Sequence, residues 1–124
     1  MIYYMQVDHT LNTLLDLNGT IIDQKGGYWV KFDAWQVEPS DDVPHGIRYS
    51  LTLHNKYGKR IIGFDNSHAV KPPKKYKYAG QRFTYDHQHR HALDKGVPYE
   101  FKDAAQLLAD FFAEVDSVLK ELKL

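Results

Sequence analysis

The C-terminal segment constrains the fold of this chain most. Ala104, Leu107, Leu108, Phe111, Val115, Val118, Leu119 and Leu122 recur at steps of three and four. That spacing lines up one apolar stripe over about five turns of an α-helix. Asp103, with Gln106 three positions on, is placed to act as N-cap and capping box. Asp110, Glu114, Ser117 and Glu121 fall on the opposite side, which reads as wet and acidic. Such a helix gains its stability by laying its stripe on an apolar surface, and Phe111 and Phe112 are read as part of that packing rather than as cofactor contacts.

The surface it needs is written upstream, where the period changes to two. Ile47, Tyr49, Leu51 and Leu53 alternate with Arg48, Ser50, Thr52 and His54, the pattern of a half-buried antiparallel strand. Asn55-Lys56-Tyr57-Gly58 supplies a hairpin loop, and Arg60 to Phe64 runs back as the partner strand. Earlier, Tyr28, Val30, Phe32 and Ala34 form one face of a strand, with Trp29, Lys31, Asp33, Trp35 and Val37 on the other. Asn18-Gly19 reads as a tight turn before Thr20–Asp23, with a short helix within the first 20 residues as the alternative. A short strand near Val97–Phe101 leads into the helix. Between Asn66 and Leu93 no period holds, and Pro72-Pro73 and Gly80 read as breaks. The expected architecture is α+β: an antiparallel sheet of about four to six strands with the C-terminal amphipathic helix packed on one face. It forms a single domain over residues 1–124, with a basic, irregular loop at about 66–93.

Composition removes several classes of function. With no cysteine among 124 residues there is no disulfide framework, thiol nucleophile, iron–sulfur cluster or cysteine-built zinc site. No apolar run of membrane-spanning length and no leader are present, so the expectation is a cytoplasmic protein with no membrane partner. Lysine plus arginine and aspartate plus glutamate both number 16, yet the charges are segregated. Residues 1–42 hold seven acids and two bases, and residues 100–124 hold six acids and three bases. Residues 54–91 hold nine bases and two acids and, beyond His54 at the start, His68, His87, His89 and His91. A basic middle between acidic flanks is the footprint of a polyanion-binding face, or else a solvated loop balanced within the fold.

Two stretches of that middle carry candidate chemistry. Lys71, Lys74, Lys75 and Lys77 interleave with Tyr76 and Tyr78, followed by Arg82. Lysines neutralise phosphates and tyrosines stack on bases, which suits RNA or another single-stranded nucleic acid. In Tyr85-Asp86-His87-Gln88-His89-Arg90-His91 an extended backbone would project His87, His89 and His91 to one side. Three imidazoles invite a metal, but the neighbouring Arg90 and lysines oppose a divalent cation, and no metal or other cofactor is assigned. RNA cleavage without a metal needs a base for the 2′-hydroxyl proton, an acid for the leaving 5′-oxygen and cations for the crowded phosphate. The loop holds each type, with Tyr85 and Tyr99 as stacking or proton-donating groups. A histidine-rich loop also serves as a structural hydrogen-bond hub. Asp65-Asn66, at the end of a predicted strand, is a site candidate or a turn starter. His9, His45 and His54 are read as structural, and Trp29 and Trp35 as sheet packing or, alternatively, a second binding surface or homodimer interface.

Taken in order, His45-Gly-Ile-Arg-Tyr-Ser-Leu51, Gly63-Phe-Asp-Asn66, Asp86-His-Gln-His-Arg-His91, Pro98-Tyr-Glu-Phe101 and Leu107-Leu-Ala-Asp-Phe-Phe112 resemble the TumE-type toxin family of toxin–antitoxin modules. The resemblance spans most of Tyr28 to Leu122. It implies a growth-inhibiting protein paired with a helix-turn-helix antitoxin and acting on RNA or translation. Carried onto this chain, the family's histidine run is His87, His89 and His91, its Asp-Asn pair is Asp65 and Asn66, and its Pro-Tyr-x-Phe run includes Tyr99. The Lys71–Arg82 segment is longer and more basic than the short glycine-rich link of many relatives. The residues expected at the site are therefore His87, His89, His91, Arg90, Tyr99 and Asp65 for catalysis. Nucleic acid falls to Lys71, Lys74, Lys75, Lys77, Arg82, Tyr76 and Tyr78. The alternatives are a non-catalytic nucleic-acid-binding module and a histidine-rich metal-binding protein.

Overall fold

A computed structural model describes residues 9–66, 80–84 and 97–123. Helix α1 (His9–Asp16) leads through a turn into β1 (Thr20–Asp23), then β2 (Trp29–Gln36), β3 (Ile47–His54), β4 (Arg60–Asp65), β5 (Gly80–Thr84), β6 (Val97–Tyr99) and α2 (Ala104–Glu121). The six strands form one sheet in sequence order, and every neighbouring pair is antiparallel. The fold is thus the expected α+β arrangement. Both readings of the N-terminal region meet here, since the short helix and the turn at residues 17–19 follow one another.

Alternation in β2 and β3 decides which face is buried. Val30, Phe32 and Ala34 pair across the ladder with Leu53, Leu51 and Tyr49, so these side chains share one face, and all are buried. Leu53 and Leu51 pair in turn with Ile62 and Phe64 of β4. Helix α2 lays Leu107, Phe111, Val115 and Leu119 on this surface, with Leu14 of α1 in the same core. Phe111 meets Phe32 and Phe64 edge-on, with centroids 5.9 Å apart in both cases. Each such buried side chain contributes about 1.5–3 kcal/mol of transfer free energy, which is what holds helix to sheet. Asp103 caps α2 as expected: its carboxylate accepts from the Gln106 N–H at 2.8 Å.

Two expectations need correction. Residues 66–93 are not one irregular connection, because 80–84 form β5 between β4 and β6. That strand is held by ladder hydrogen bonds on both sides, so it needs no apolar alternation of its own. Gly80 begins the strand rather than breaking it. In addition, Asp110 and Glu114 do not lie on a wet outer face of α2. They turn toward β5 and β6, where cationic and hydroxyl partners wait.

Candidate functional site

The residues that carry the resemblance lie far apart in the chain, yet most of those described gather at one end of the sheet. There β3 begins, β4 ends, β5 begins and β6 ends. Asn66 extends the β3–β4 ladder by one residue with both its backbone and its amide. Its N–H donates to the Tyr49 carbonyl at 3.1 Å, Oδ1 accepts from the Tyr49 N–H at 2.7 Å, and Nδ2 donates to the Ile47 carbonyl at 2.8 Å. Arg48 Nη1 donates to the Asn66 carbonyl at 2.6 Å. Four bonds on one buried asparagine fix the point at which the chain leaves β4.

Tyr49 reaches from β3 to the start of β5. A Cβ on Gly80 would collide with the Tyr49 hydroxyl and lie 3.1 Å from Cζ, so only glycine admits the ring. The hydroxyl is buried and has no hydrogen-bond partner among the described residues. Burial, and then the charge of Asp65, raise its pKa and keep it protonated. Phe101 tilts against Tyr49 with centroids 5.7 Å apart, and His45 stacks on Phe101 at 4.0 Å. His45 Nδ1 accepts from the Ile47 N–H at 3.2 Å, while Nε2 is buried and unpartnered among the described residues. Burial pushes the His45 pKa down to about 4, which makes the ring neutral at physiological pH.

Two polar links tie β5 and β6 to α2. The Tyr99 hydroxyl donates to Asp110 Oδ2 at 2.5 Å, and Gln106 Nε2 donates to Asp110 Oδ1 at 2.7 Å. Gln106 therefore reaches forward to a carboxylate instead of back to close the capping box, since a charged acceptor makes the stronger bond. Burial, and then the hydrogen bond to Asp110, raise the Tyr99 pKa, so this phenol holds its proton tightly. One strand over, Arg82 Nη1 meets Glu114 Oε2 at 3.4 Å.

Asp65, Arg82 and Tyr99 thus stand on three neighbouring strands. Arg82 pairs with Phe64 and Val97, and Gly80 with Tyr99, so Arg82 and Tyr99 lie on the face covered by α2. Asp65 pairs with Ser50 and Gln81, on the other parity, and is 8% exposed. Of the residues expected at the site, Lys71, Lys74, Lys75, Lys77, Tyr76, Tyr78, His87, His89, Arg90 and His91 lie outside the described residues. What the sheet does fix is where those segments attach. Residues 67–79 join Asn66 to Gly80 at the end just described. Residues 85–96 depart from Thr84, which pairs with Ile62 at the opposite end of β5, about 13 Å away for four residue steps along a strand.

Sequence reasoning passed over the contacts of Tyr49, Arg48, Asp110 and Glu114, while the stacking of His45 on Phe101 fits its structural reading. The usable signal was polar residues inside otherwise apolar runs, Asp110 within Leu107–Phe112 above all. Trp29 stacks on His54 at 4.0 Å, while Trp35 is exposed. Among the described residues no group of three or more His, Asp or Glu side chains could hold a metal ion, and no helix is long and apolar enough to cross a membrane.

Comparison with known families finds a match over residues 7–119 to the family described as Toxin TumE. No curated protein and no solved structure matches the chain.

Proposed function

Because the chain belongs to the TumE toxin family, and is therefore the toxin component of a toxin–antitoxin module with an antitoxin as partner, we propose that it binds RNA and cleaves it by histidine acid–base chemistry. The observation that carries this reading is the segregation of charge, with nine bases against two acids in residues 54–91 between acidic flanks. A phosphate backbone rewards that clustering by counterion release.

In this reading Lys71, Lys74, Lys75 and Lys77 take the phosphates and Tyr76 and Tyr78 stack on bases, while Arg82, expected there too, is engaged with Glu114 of α2. One of His87, His89 and His91 removes the 2′-hydroxyl proton, and the 2′-oxygen attacks the adjacent phosphorus. A second, protonated histidine gives its proton to the departing 5′-oxygen, leaving a 2′,3′-cyclic phosphate and a free 5′-hydroxyl. Arg90 and the lysines stabilise the doubly charged phosphorane. Tyr99 is a poor proton donor, its hydroxyl being committed to Asp110; its part is to hold β6 against α2. Asp65 belongs to the strand end from which the basic segment departs. The antitoxin, of helix-turn-helix type, neutralises the toxin by covering the basic segment with acidic side chains.

A pair of variants tests the proposal. Lys74→Ala/Lys75→Ala weakens RNA binding in gel shifts and slows cleavage together, whereas His89→Ala keeps binding and abolishes cleavage. Binding that stays flat between low and physiological salt removes the phosphate contacts from the argument, since each contact contributes about −0.7 to the log–log salt slope on single strands.

A further inference from the structure

The loop between β3 and β4 is built more rigidly than a connection needs to be. The Asn55 N–H donates to the Lys59 carbonyl, and the Gly58 N–H to the Asn55 carbonyl, both at 2.9 Å. The Asn55 side chain accepts from the N–H groups of Tyr57 and Lys59, again at 2.9 Å each. Gly58 adopts φ +85°, the left-handed step that closes a three-residue hairpin loop. This frame carries Tyr57 at its tip, 82% exposed. Lys56 Nζ stands 5.3 Å over one face of the Tyr57 ring, so the cation flanks the aromatic plane.

The loop sequence itself is basic. Residues 54–60 contain Lys56, Lys59 and Arg60 and no acid. At the root, His54 lies flat on Trp29, with 8° between the rings, and Arg60 and Lys31 both add positive potential at His54. A single exposed aromatic is ordinary on a protein surface. An exposed aromatic held by a stiff loop among three bases has the composition of a single-strand contact, where a ring stacks a base and cations hold the adjoining phosphates. The tip also projects from the end of the sheet at which Thr84 pairs with Ile62, the end from which the segment bearing His87, His89 and His91 departs.

We propose that the β3–β4 hairpin tip is a second RNA-contact surface, stacking a base on Tyr57 and holding its phosphates with Lys56, Lys59 and Arg60. The proposal rests on the reading that this toxin acts on RNA, and it assigns that RNA a path by the hairpin as well as along the lysine-rich segment.

The test is fluorescence anisotropy of a labelled single-stranded RNA of mixed sequence with the full chain, repeated over a salt series. Tyr57→Ala raises Kd about five-fold or more, as expected for loss of one stacked base. Lys56→Ala/Lys59→Ala raises Kd and flattens the log–log salt slope by about 1.4, two contacts' worth. Circular dichroism of each variant reports the fold, which an exposed tip leaves intact. Variants that bind RNA as tightly as wild type and with the same salt slope overturn the proposal, while loss of binding in Lys74→Ala/Lys75→Ala then leaves the RNA reading standing. Unchanged RNA affinity with lost antitoxin binding assigns the hairpin to the protein partner and also overturns it. No RNA binding by wild type overturns both readings.

Discussion

Replacing Tyr49 with phenylalanine removes one oxygen atom from the core, and the packing around that atom predicts a gain in stability. The side chain is fully buried, and its hydroxyl has no hydrogen-bond partner among the described residues. A hydroxyl taken out of water without a partner costs about 1–3 kcal/mol. The void left by a single oxygen is small, and at about 24 cal/mol per Å³ it returns a few tenths of a kcal/mol. Tyr49→Phe should therefore stabilise the fold by about 1 kcal/mol, with the contact to Phe101 retained. Gly80→Ala is the complementary change. Its Cβ meets the Tyr49 hydroxyl and comes within 3.1 Å of Cζ and 3.2 Å of Asn66 Cβ, an overpacking that costs about 1–3 kcal/mol. In the Tyr49→Phe background the hydroxyl conflict is gone, so the double variant should be more stable than the two single effects summed, by about 1 kcal/mol. Urea unfolding midpoints at constant m-value measure all three variants. Destabilisation by Tyr49→Phe of 1 kcal/mol or more, or additivity of the cycle to within about 0.5 kcal/mol, refutes the reasoning.

Further tests follow from the same geometry. Tyr99→Phe keeps the edge-on contact with Phe64 but deletes the bond to Asp110. Bonds to charged groups are worth about 1.5–3 kcal/mol, reduced here by partial exposure to about 1–2 kcal/mol, which urea unfolding reads directly. Asp103→Ala removes the N-cap of α2 and should cost about 1 kcal/mol, visible as a lower thermal midpoint. For His45, an unfolded chain takes up a proton near pH 6.5 and the folded chain only near pH 4. Stability should therefore be complete above about pH 6.5 and fall as pH drops toward 4, with His54, also lowered by burial, acting in the same sense. After discounting for the partial exposure of the residue this amounts to about 1–2 kcal/mol. His45→Phe should flatten the dependence, and an unchanged slope between pH 4 and 6.5 contradicts the assignment.

The elements legible in the sequence are those whose packing is periodic. The stripe from Ala104 to Leu122 and the alternation from Ile47 to Leu53 each declare one buried face, so α2 and β3 could be read from spacing alone. Helix α1 buries Leu14 alone along its eight residues, too little pattern to separate it from the turn that follows. Strand β5 escaped notice because its place depends on neighbours. Arg82 sits at a position facing α2, where an apolar residue would be expected, and it is accommodated by Glu114 at a separation of 32 residues. The site follows the same logic. Asp65 and Asn66 were visible as a strand end, but the pairing of Tyr99 with Asp110, and of Tyr49 with the space above Gly80, arises only when β3, β5, β6 and α2 assemble. No local spacing rule encodes such contacts.

The most direct measurement is incubation of purified wild-type protein and His89→Ala with mixed RNA, with and without EDTA. Cleavage by wild type that survives EDTA, yields 2′,3′-cyclic phosphate ends and disappears in His89→Ala is the predicted result. RNA left intact by wild type, or cut equally well by His89→Ala, contradicts histidine-mediated cleavage by this toxin.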